Sequence, residues 1–147
     1  MHDPQHHSKH VLYVDDERAL VAVSVRGLSL YGYRVTGFSD PRQALESFRA
    51  QPQAYDAVVT DLSMPTLPGL SLVRELRALR SELPVIALSG VVTEEDRARC
   101  AQCGVDIVLS KPFSLERLAQ ALDSVLSRPC SFYSDLDHRA GSKPVTP

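Results

Sequence analysis

The sequence predicts an α/β fold in which a five-stranded parallel sheet is covered by helices on both faces. Short apolar, β-branched runs alternate with segments of helical period in strict strand-then-helix order, five of each. The connections between them are short, as a layered arrangement of this kind requires. The third strand, Ala57 to Thr60, is continuously apolar or β-branched, which is typical of a strand buried on both faces.

The length and composition favour one domain with short tails. The chain has 147 residues, of which 44% are hydrophobic, enough for one substantial core and too few for two ordinary domains. Residues 1–9 are rich in histidine, lack any apolar period and are predicted to form a disordered leader. Larger apolar residues are sparse near the other end, so residues 128–147 are predicted to form a flexible tail. The domain is therefore predicted to span residues 10–127.

The net charge and the apolar pattern disfavour nucleic-acid and membrane proteins. A net charge of -2 and a pI near 6.2 provide no basic surface for nucleic-acid phosphates, so we expect no direct contact with nucleic acid. No apolar run approaches the roughly 20 residues of a spanning helix. The polar start also lacks the apolar core of a secretory signal, so a cytoplasmic location without membrane contact is expected.

The cysteines fit a reducing compartment. Cys100, Cys103 and Cys130 are an odd set, and the first two lie three apart in a helical segment, which favours reduced thiols over a disulfide framework. The spacing of Cys100 and Cys103 is that of redox dithiols. Those pairs open a helix, however, whereas this pair lies near a helix end, so a redox function is disfavoured.

The first strand and helix are separated by an acidic run. Val11 to Val14 is predicted as the first strand, and it ends at Asp15-Asp16-Glu17. Apolar residues at helical spacing predict a helix over about residues 17–31, with Gly32 just beyond its end.

The second strand and the next two helices have clear limits. The strand is predicted at Arg34 to Phe38, and the helix after it begins at Asp40-Pro41, which supplies an N-cap and a first-turn proline. That helix is predicted to end near Ala50. After the third strand, a loop runs to Gly69, and apolar spacing predicts a helix that ends near Ser81.

The last two helices each follow a hydroxyl residue that can cap them, Thr93 and Ser114. The helix after Thr93 carries acids in its first turn, where the helix dipole favours them, and meets Gly104 at its end. The two remaining strands are predicted at Pro84 to Leu88 and Ile107 to Leu109.

Polar side chains follow four of the five predicted strands. Asp15 and Asp16 come after the first strand, Asp61 after the third, Ser89 after the fourth and Lys111 after the fifth. Each alone has a plain structural interpretation, such as an acidic helix start, a turn cap or a surface charge before a proline. Because the carboxyl ends of parallel strands meet at one edge of a sheet, where ligands bind in such folds, the five together favour a functional site.

The side chains of this cluster favour Mg²⁺ and phosphate chemistry. Three carboxylates in one cleft raise one another's pKa unless a cation is present. Oxygen ligands favour Mg²⁺, which proteins hold through one or two carboxylates together with phosphate oxygens. Lys111 and Ser89 would stabilise the oxygens of a phosphoryl group in transit, and Asp61, opposite the paired acids, would be the nucleophile that accepts it.

The motifs resemble those of the receiver domain of two-component response regulators. The resemblance covers about residues 10–127 and rests on four stretches: Val14-Asp15-Asp16-Glu17, Asp61-Leu62-Ser63-Met64-Pro65 with Gly69 beyond, Ala87-Leu88-Ser89-Gly90, and Lys111-Pro112-Phe113. It implies a doubly wound, flavodoxin-like sheet in the strand order 2-1-3-4-5.

The resemblance also implies a role for each acidic position. Asp61 matches the phosphoacceptor, and Asp16 matches a direct Mg²⁺ ligand. Asp15 matches an acid that acts largely through metal-bound water. Ser63 matches the residue whose backbone carbonyl completes the metal shell.

The remaining matches concern the phosphoryl group and the response to it. Ser89 matches a switch hydroxyl, and Lys111 matches the phosphoryl-binding lysine, whose bond to Pro112 is expected to be cis. One position departs from the family pattern, because Val108 stands where Tyr or Phe is common. Valine has no ring to turn inward, which weakens the expectation that phosphorylation remodels the face made by the fourth helix, fifth strand and fifth helix. Phosphorylation can still signal through the charge that it adds and through the ordering of loops.

The preferred functional hypothesis is a phosphorylation-activated signalling switch. A histidine kinase or histidine phosphotransfer protein would donate to Asp61 with Mg²⁺, and a protein target would bind the face of the fourth helix, fifth strand and fifth helix. The chain would not be an enzyme beyond phosphorylating itself from a donor and slowly dephosphorylating itself. The tail is too short for a helix-turn-helix unit, so no output domain is expected.

Two alternatives remain open. One is the receiver module of a hybrid sensor histidine kinase, which the Leu-Ser-Gly and Ser-Lys-Pro-Phe-Ser stretches favour by resemblance. The other is a Mg²⁺-dependent phosphatase on a similar sheet. Ser63 disfavours it, since a second acid would be needed two residues after Asp61 as general acid and base.

Overall fold

The computed structural model describes residues 9–127, so residues 1–8 of the predicted leader and the whole predicted tail, residues 128–147, lie outside the described part. The described chain alternates strands and helices throughout, as predicted. The strands are His10–Val14 (β1), Arg34–Phe38 (β2), Ala57–Asp61 (β3), Val85–Ser89 (β4) and Ile107–Ser110 (β5). The helices are Arg18–Leu30 (α1), Pro41–Ala50 (α2), Gly69–Leu79 (α3), Glu94–Cys103 (α4) and Leu115–Leu126 (α5).

The five strands form one parallel sheet in the order β2-β1-β3-β4-β5, which confirms the expected doubly wound, flavodoxin-like arrangement. Val14 is paired with Thr60, Asp61 with Leu88, and Ser89 with Ser110. The carboxyl ends of four strands therefore finish at nearly the same level of the sheet.

The core lies on both faces of the sheet, because alternate strand residues point to opposite sides. On one face Tyr13 and Val59 pack with Leu28 of α1 and Leu122 of α5. On the other face the neighbouring strand positions pack against α2 and α3, through Leu12, Val58, Phe48 and Leu76. This double coverage explains why the strands are continuously apolar.

The predicted caps are present. The carboxylate of Asp40 accepts from the backbone N–H of Arg42 at 2.9 Å, and the hydroxyl of Ser114 accepts from that of Arg117 at 3.1 Å. Thr93 begins α4 with a reciprocal capping box that includes Asp96. Gly104 ends this helix with a φ of 91°, a left-handed conformation that glycine adopts without strain.

Helices α1 and α3 are shorter than predicted, and side chains explain where α1 begins and where α3 ends. Helix α1 begins at Arg18 because Glu17 is extended, and its backbone N–H donates to Asp15 Oδ1 at 2.9 Å. Helix α3 ends at Leu79, two residues earlier than predicted. Its next residue, Arg80, is extended and donates from its guanidinium to the carbonyl oxygens of Pro52 and Tyr55. No helix within residues 9–127 is long and apolar enough to cross a membrane.

Candidate functional site

The carboxyl edge of the sheet carries every side chain that the sequence singled out. Asp61 and Ser89 are the last residues of β3 and β4, and Lys111 follows β5. These three line a cleft of about 630 Å³ together with Asp16 and Ser63. Residues far apart in sequence meet here because the strands end at nearly the same level of the sheet.

Three carboxylates cluster at this cleft, two of them in its lining and the third, Asp15, behind them. Asp15, Asp16 and Asp61 each offer an oxygen within 4.8 Å of the others. Asp15 is fully buried and Asp61 is 3% exposed, whereas Asp16 is open to solvent. Burial and the neighbouring Asp15 raise the pKa of Asp61, and the Lys111 ammonium opposes that rise.

Lys111 is the counter-charge of the buried acids. Its Nζ lies 3.0 Å from Asp15 Oδ2 and 3.2 Å from Asp61 Oδ1. Burial alone would lower the pKa of the ammonium, but the two carboxylates outweigh burial and raise it. The lysine is therefore charged at neutral pH, and it compensates only part of the negative charge.

The acidic cluster fits a divalent cation. The Lys111 ammonium contacts both Asp15 Oδ2 and Asp61 Oδ1, so two buried carboxylates share one cation. A buried carboxylate oxygen of this kind is stabilised by a cation. The ligand atoms are all oxygen, and the exposed Asp16 gives access from solvent, which together suit Mg²⁺.

The loop after β3 is closed tightly against Asp61. Leu62 accepts a backbone hydrogen bond from Gly69 at 3.0 Å and donates one to Leu88 at 2.9 Å. A Cβ at position 69 would overlap the carbonyl oxygen of Asp61 and lie 2.7 Å from the Cα of Leu62. The backbone of the loop thus depends on glycine at this position, and the loop holds Ser63 at the cleft.

Ser89 and Lys111 are joined through the backbone. The N–H of Lys111 donates to the carbonyl of Ser89 at 2.8 Å, and the Lys111–Pro112 bond is cis, as expected. The hydroxyl of Ser89 donates to the carbonyl of Val91 at 2.8 Å, in the connection to α4. On β5, Val108 pairs with Ala87 and is half-buried.

Sequence reasoning missed the far wall of the cleft. Asp96 and Arg99 of α4 line it on one side, and Pro68 and Leu70 line it at the start of α3. The helix dipole alone accounts for the acids of α4 in the sequence, so their position at the cleft is not predicted. The sequence gives no signal for their second role, because α4 buries a single residue, Cys100, and has no strong apolar face from which its orientation could be inferred.

The two described cysteines lie on the same helix and are free thiols. Cys100 is buried, and burial raises the pKa of its thiol. Cys103 is partly buried against the core on the α2 and α3 face. A raised thiol pKa is the opposite of what a reactive dithiol requires.

Comparison with known proteins gives one consistent family. A family model described as the response regulator receiver domain matches residues 11–123. The transcriptional regulatory protein PrrA of Mycobacterium tuberculosis is 39% identical over 121 residues, which cover 82% of this chain and 51% of PrrA. The chain spans about half the length of the curated relatives it matches.

Solved structures agree with that family. A response regulator receiver domain protein from Clostridium thermocellum superposes with a TM-score of 0.79 at 25% identity, over 85% of this chain and 99% of the other. The chemotaxis protein CheY4 of Vibrio cholerae gives a TM-score of 0.75 at 29% identity, over 80% and 98% of the two chains.

Proposed function

This chain belongs to the family of response regulator receiver domains, the phosphoryl-accepting modules of two-component signalling, and from that premise we propose that it is a phosphorylation-activated switch whose acceptor is Asp61. The observation that carries the proposal is the position of Asp61 at the end of β3, almost fully buried and 3.2 Å from Lys111. A buried carboxylate that lines a cleft and has a counter-charge suits the role of a nucleophile better than that of an exposed turn cap.

The proposed reaction is a transfer of a phosphoryl group from nitrogen to oxygen. A carboxylate oxygen of Asp61 forms the new P–O bond while the P–N bond of a phosphohistidine breaks. The bonding electrons remain on the imidazole nitrogen, which then takes up a proton. Lys111 lowers the pKa of Asp61 against the effect of burial and would stabilise the charge on the phosphoryl oxygens.

Receiver domains bind Mg²⁺ at an acidic pocket, and this chain has the corresponding cluster. We propose that Asp15, Asp16, Asp61 and the backbone carbonyl of Ser63 hold the ion here. When bound, Mg²⁺ supplies positive charge that favours the approach of an anionic phosphoryl group. The buried Asp15 contributes charge and orientation from beneath the exposed Asp16.

The proposed response begins at Ser89. Its hydroxyl is bonded to the carbonyl of Val91, at the start of the connection to α4. A phosphoryl group on Asp61 offers a stronger, charged acceptor for the same hydroxyl. Movement of the hydroxyl toward that group would release the Val91 carbonyl and change the backbone that leads into α4. A protein target would then bind the altered face made by α4, β5 and α5. This response does not need an aromatic side chain at position 108, which is Val108 here.

The proposed donor is a histidine kinase or a histidine phosphotransfer protein, and the proposed location is the cytoplasm. The domain is proposed to occupy residues 10–127. PrrA, which is named a transcriptional regulator, extends well beyond the match, so the expectation that no nucleic acid is bound concerns this domain alone. A hybrid sensor kinase remains an alternative source of the same module, since its chemistry at Asp61 would be identical.

Labelling with a small phosphodonor tests the proposal. The chain is incubated with acetyl phosphate and Mg²⁺, and its intact mass is compared with that of the Asp61→Asn variant treated in the same way. We expect one phosphoryl adduct on the native chain and none on the variant. An unlabelled native chain, under conditions that label an authentic receiver, would refute the proposal, and steady hydrolysis of unrelated phosphomonoesters would favour the phosphatase alternative instead.

A further inference from the structure

The cleft around Asp61 extends past the acceptor to the middle of α4. Its volume of about 630 Å³ is far larger than the roughly 30 Å³ that one water occupies in the liquid, so it has room for more than a metal ion and a phosphoryl group. The part of the lining that α4 contributes includes Arg99. This part of the cleft has no role in the reaction proposed above.

The lining of the cleft has more acidic than basic side chains. Four carboxylates line it, and within residues 9–127 only two lining side chains are cations, Lys111 and Arg99. Lys111 is already paired with the two buried acids, Asp15 and Asp61. A phosphodonor is itself an anion, so a positive side chain in the lining favours its approach in addition to the charge that Mg²⁺ would supply. Arg99 is the second basic side chain of the lining, and its described ion pair is with the partly exposed Asp96.

Arg99 is held beside the cleft by Asp96. Its Nη2 lies 3.3 Å from Asp96 Oδ1, while Asp96 Oδ2 accepts from the backbone N–H of Thr93 at 3.2 Å. The two side chains are 55% and 32% exposed, and an ion pair this exposed contributes little and breaks readily. One of the five N–H donors of the guanidinium makes this described bond, so the others are available to an anion.

We propose that Arg99 is a donor-binding residue that draws anionic phosphodonors into the cleft and binds their phosphoryl oxygens before transfer. The planar guanidinium offers two parallel N–H donors to a phosphate, a geometry that lysine does not reproduce. Asp61 and Lys111 keep the roles proposed above in the transfer itself, and Arg99 takes no part in bond formation. The proposal rests on the function proposed above, because it requires that Asp61 is the acceptor.

Three variants of α4 test the proposal. Arg99→Gln removes the charge, Arg99→Lys keeps it, and Arg97→Gln is a matched control that removes the same charge from an exposed residue outside the cleft lining. Positions 97 and 99 are about 200° apart around a helix, so their side chains leave it in different directions. The rate of labelling is measured over a range of acetyl phosphate concentrations with Mg²⁺ held constant.

The expected effect of Arg99→Gln is a weaker dependence of the labelling rate on donor concentration. Arg99→Gln should lower the second-order rate constant about fivefold, which is the scale of a single exposed ion pair, while the rate at saturating donor changes little. Arg97→Gln should stay within about twofold of the native chain. The second-order rate constant of Arg99→Lys should lie between those of Arg99→Gln and Arg97→Gln. Raising the salt from about 0.05 M to about 0.5 M should shrink the Arg99→Gln effect, since screening weakens the attraction.

A second donor separates charge recognition from a structural effect. Phosphoramidate carries less negative charge than acetyl phosphate, because of its ammonium group. Arg99→Gln should therefore slow labelling by phosphoramidate less than labelling by acetyl phosphate. Equal rates for Arg99→Gln and Arg97→Gln would refute the role of Arg99 while leaving Asp61 as the acceptor. Equal losses for Arg99→Lys and Arg99→Gln that are independent of salt and donor would also refute it. Failure of the native chain to label would instead refute the function itself.

Discussion

The ammonium of Lys111 lies 3.2 Å from Oδ1 of Asp61, although Asp61 ends β3, Lys111 follows β5, and β4 lies between these two strands in the sheet. The same ammonium reaches Asp15 at the end of β1, at 3.0 Å. One flexible cation thus bridges the ends of three strands. The pairing compensates two buried carboxylates, each of which would otherwise be an uncompensated charge.

Replacing Lys111 with methionine should impair the acceptor in two ways. The pKa of Asp61 should rise further, because Lys111 is what lowers it against burial and Asp15. Labelling by acetyl phosphate should slow by at least about tenfold, since the phosphoryl oxygens lose a fixed positive charge. Carbon-detected NMR titration of the Asp61 carboxyl and the labelling rate measure the two effects. Lys111→Arg is the charge-retaining control, and an unchanged pKa in Lys111→Met would contradict the assigned pairing.

Asp61→Asn should make the metal-free protein more stable at neutral pH. Burial raises the pKa of Asp61 above its ordinary value of 3.8, so the folded state binds more protons than the unfolded state between that value and the raised one. The free energy of unfolding therefore falls as pH rises through this window, and asparagine removes the loss. We expect a gain of about 0.5 to 2 kcal/mol at pH 7, the usual range for a stabilising substitution.

The gain from Asp61→Asn should shrink on acidification. Below 3.8 the carboxyl is neutral in both states, and the charge of Asp61 then has no effect on folding. Urea unfolding in the presence of a chelator, over a series of pH values, measures the difference between the two proteins. A gain that stays constant with pH would mean that it comes from packing and not from the charge of Asp61.

The residues of the acidic site were predictable because they are tied to the most regular feature of the sequence. Apolar strand runs that stop at Asp15, Asp61 and Ser89 fix where each strand ends, and a parallel sheet places those ends at one edge. The position of Lys111 follows in the same way from β5. These side chains are placed by backbone pairing, which leaves a clear pattern in the sequence.

The far wall of the cleft was not predictable, because tertiary packing places it. Helix α4 buries only Cys100, so its amphipathic pattern does not show that Asp96 and Arg99 face the cleft. The bond from the Ser89 hydroxyl to the Val91 carbonyl is likewise a choice of one rotamer among several. The early end of α3 depends on Arg80, whose guanidinium reaches carbonyl oxygens far away in sequence.

Mg²⁺ should stabilise the fold through the acidic cluster. An ion that binds only the folded state adds about 1.4 kcal/mol to the free energy of unfolding at ten times its Kd. For a domain of this size that corresponds to a rise in Tm of a few degrees. Asp16→Asn should abolish most of the rise, because Asp16 is the solvent-facing member of the cluster.

Thermal unfolding with increasing Mg²⁺ measures this linkage. Glu94→Gln is a suitable control, since it removes one exposed acid from α4 that does not belong to the cluster. It should respond to Mg²⁺ as the native chain does. A rise in Tm that is the same in Asp16→Asn as in the native chain would show that the ion acts elsewhere.

Gly69→Ala and Gly90→Ala should differ sharply, although both lie beside the cleft. At position 69 the added methyl group would overlap the carbonyl oxygen of Asp61 and lie 2.7 Å from the Cα of Leu62, and both are backbone atoms that cannot rotate away. At position 90 it would meet nothing within 4 Å. We expect Gly69→Ala to cost about 1 to 3 kcal/mol, as overpacking does, and Gly90→Ala to stay within about 0.5 kcal/mol.

The two glycine variants should also differ in function. The overlap at position 69 can be relieved only by moving the backbone of Asp61 or of the loop that follows it, which displaces the acceptor from Lys111. Gly69→Ala should therefore label more slowly with acetyl phosphate even at temperatures where urea unfolding shows that it is fully folded, because a small misplacement of a reacting group costs rate. If the folded Gly69→Ala protein labels as fast as Gly90→Ala, the tight closure of the loop on Asp61 is not what positions the acceptor.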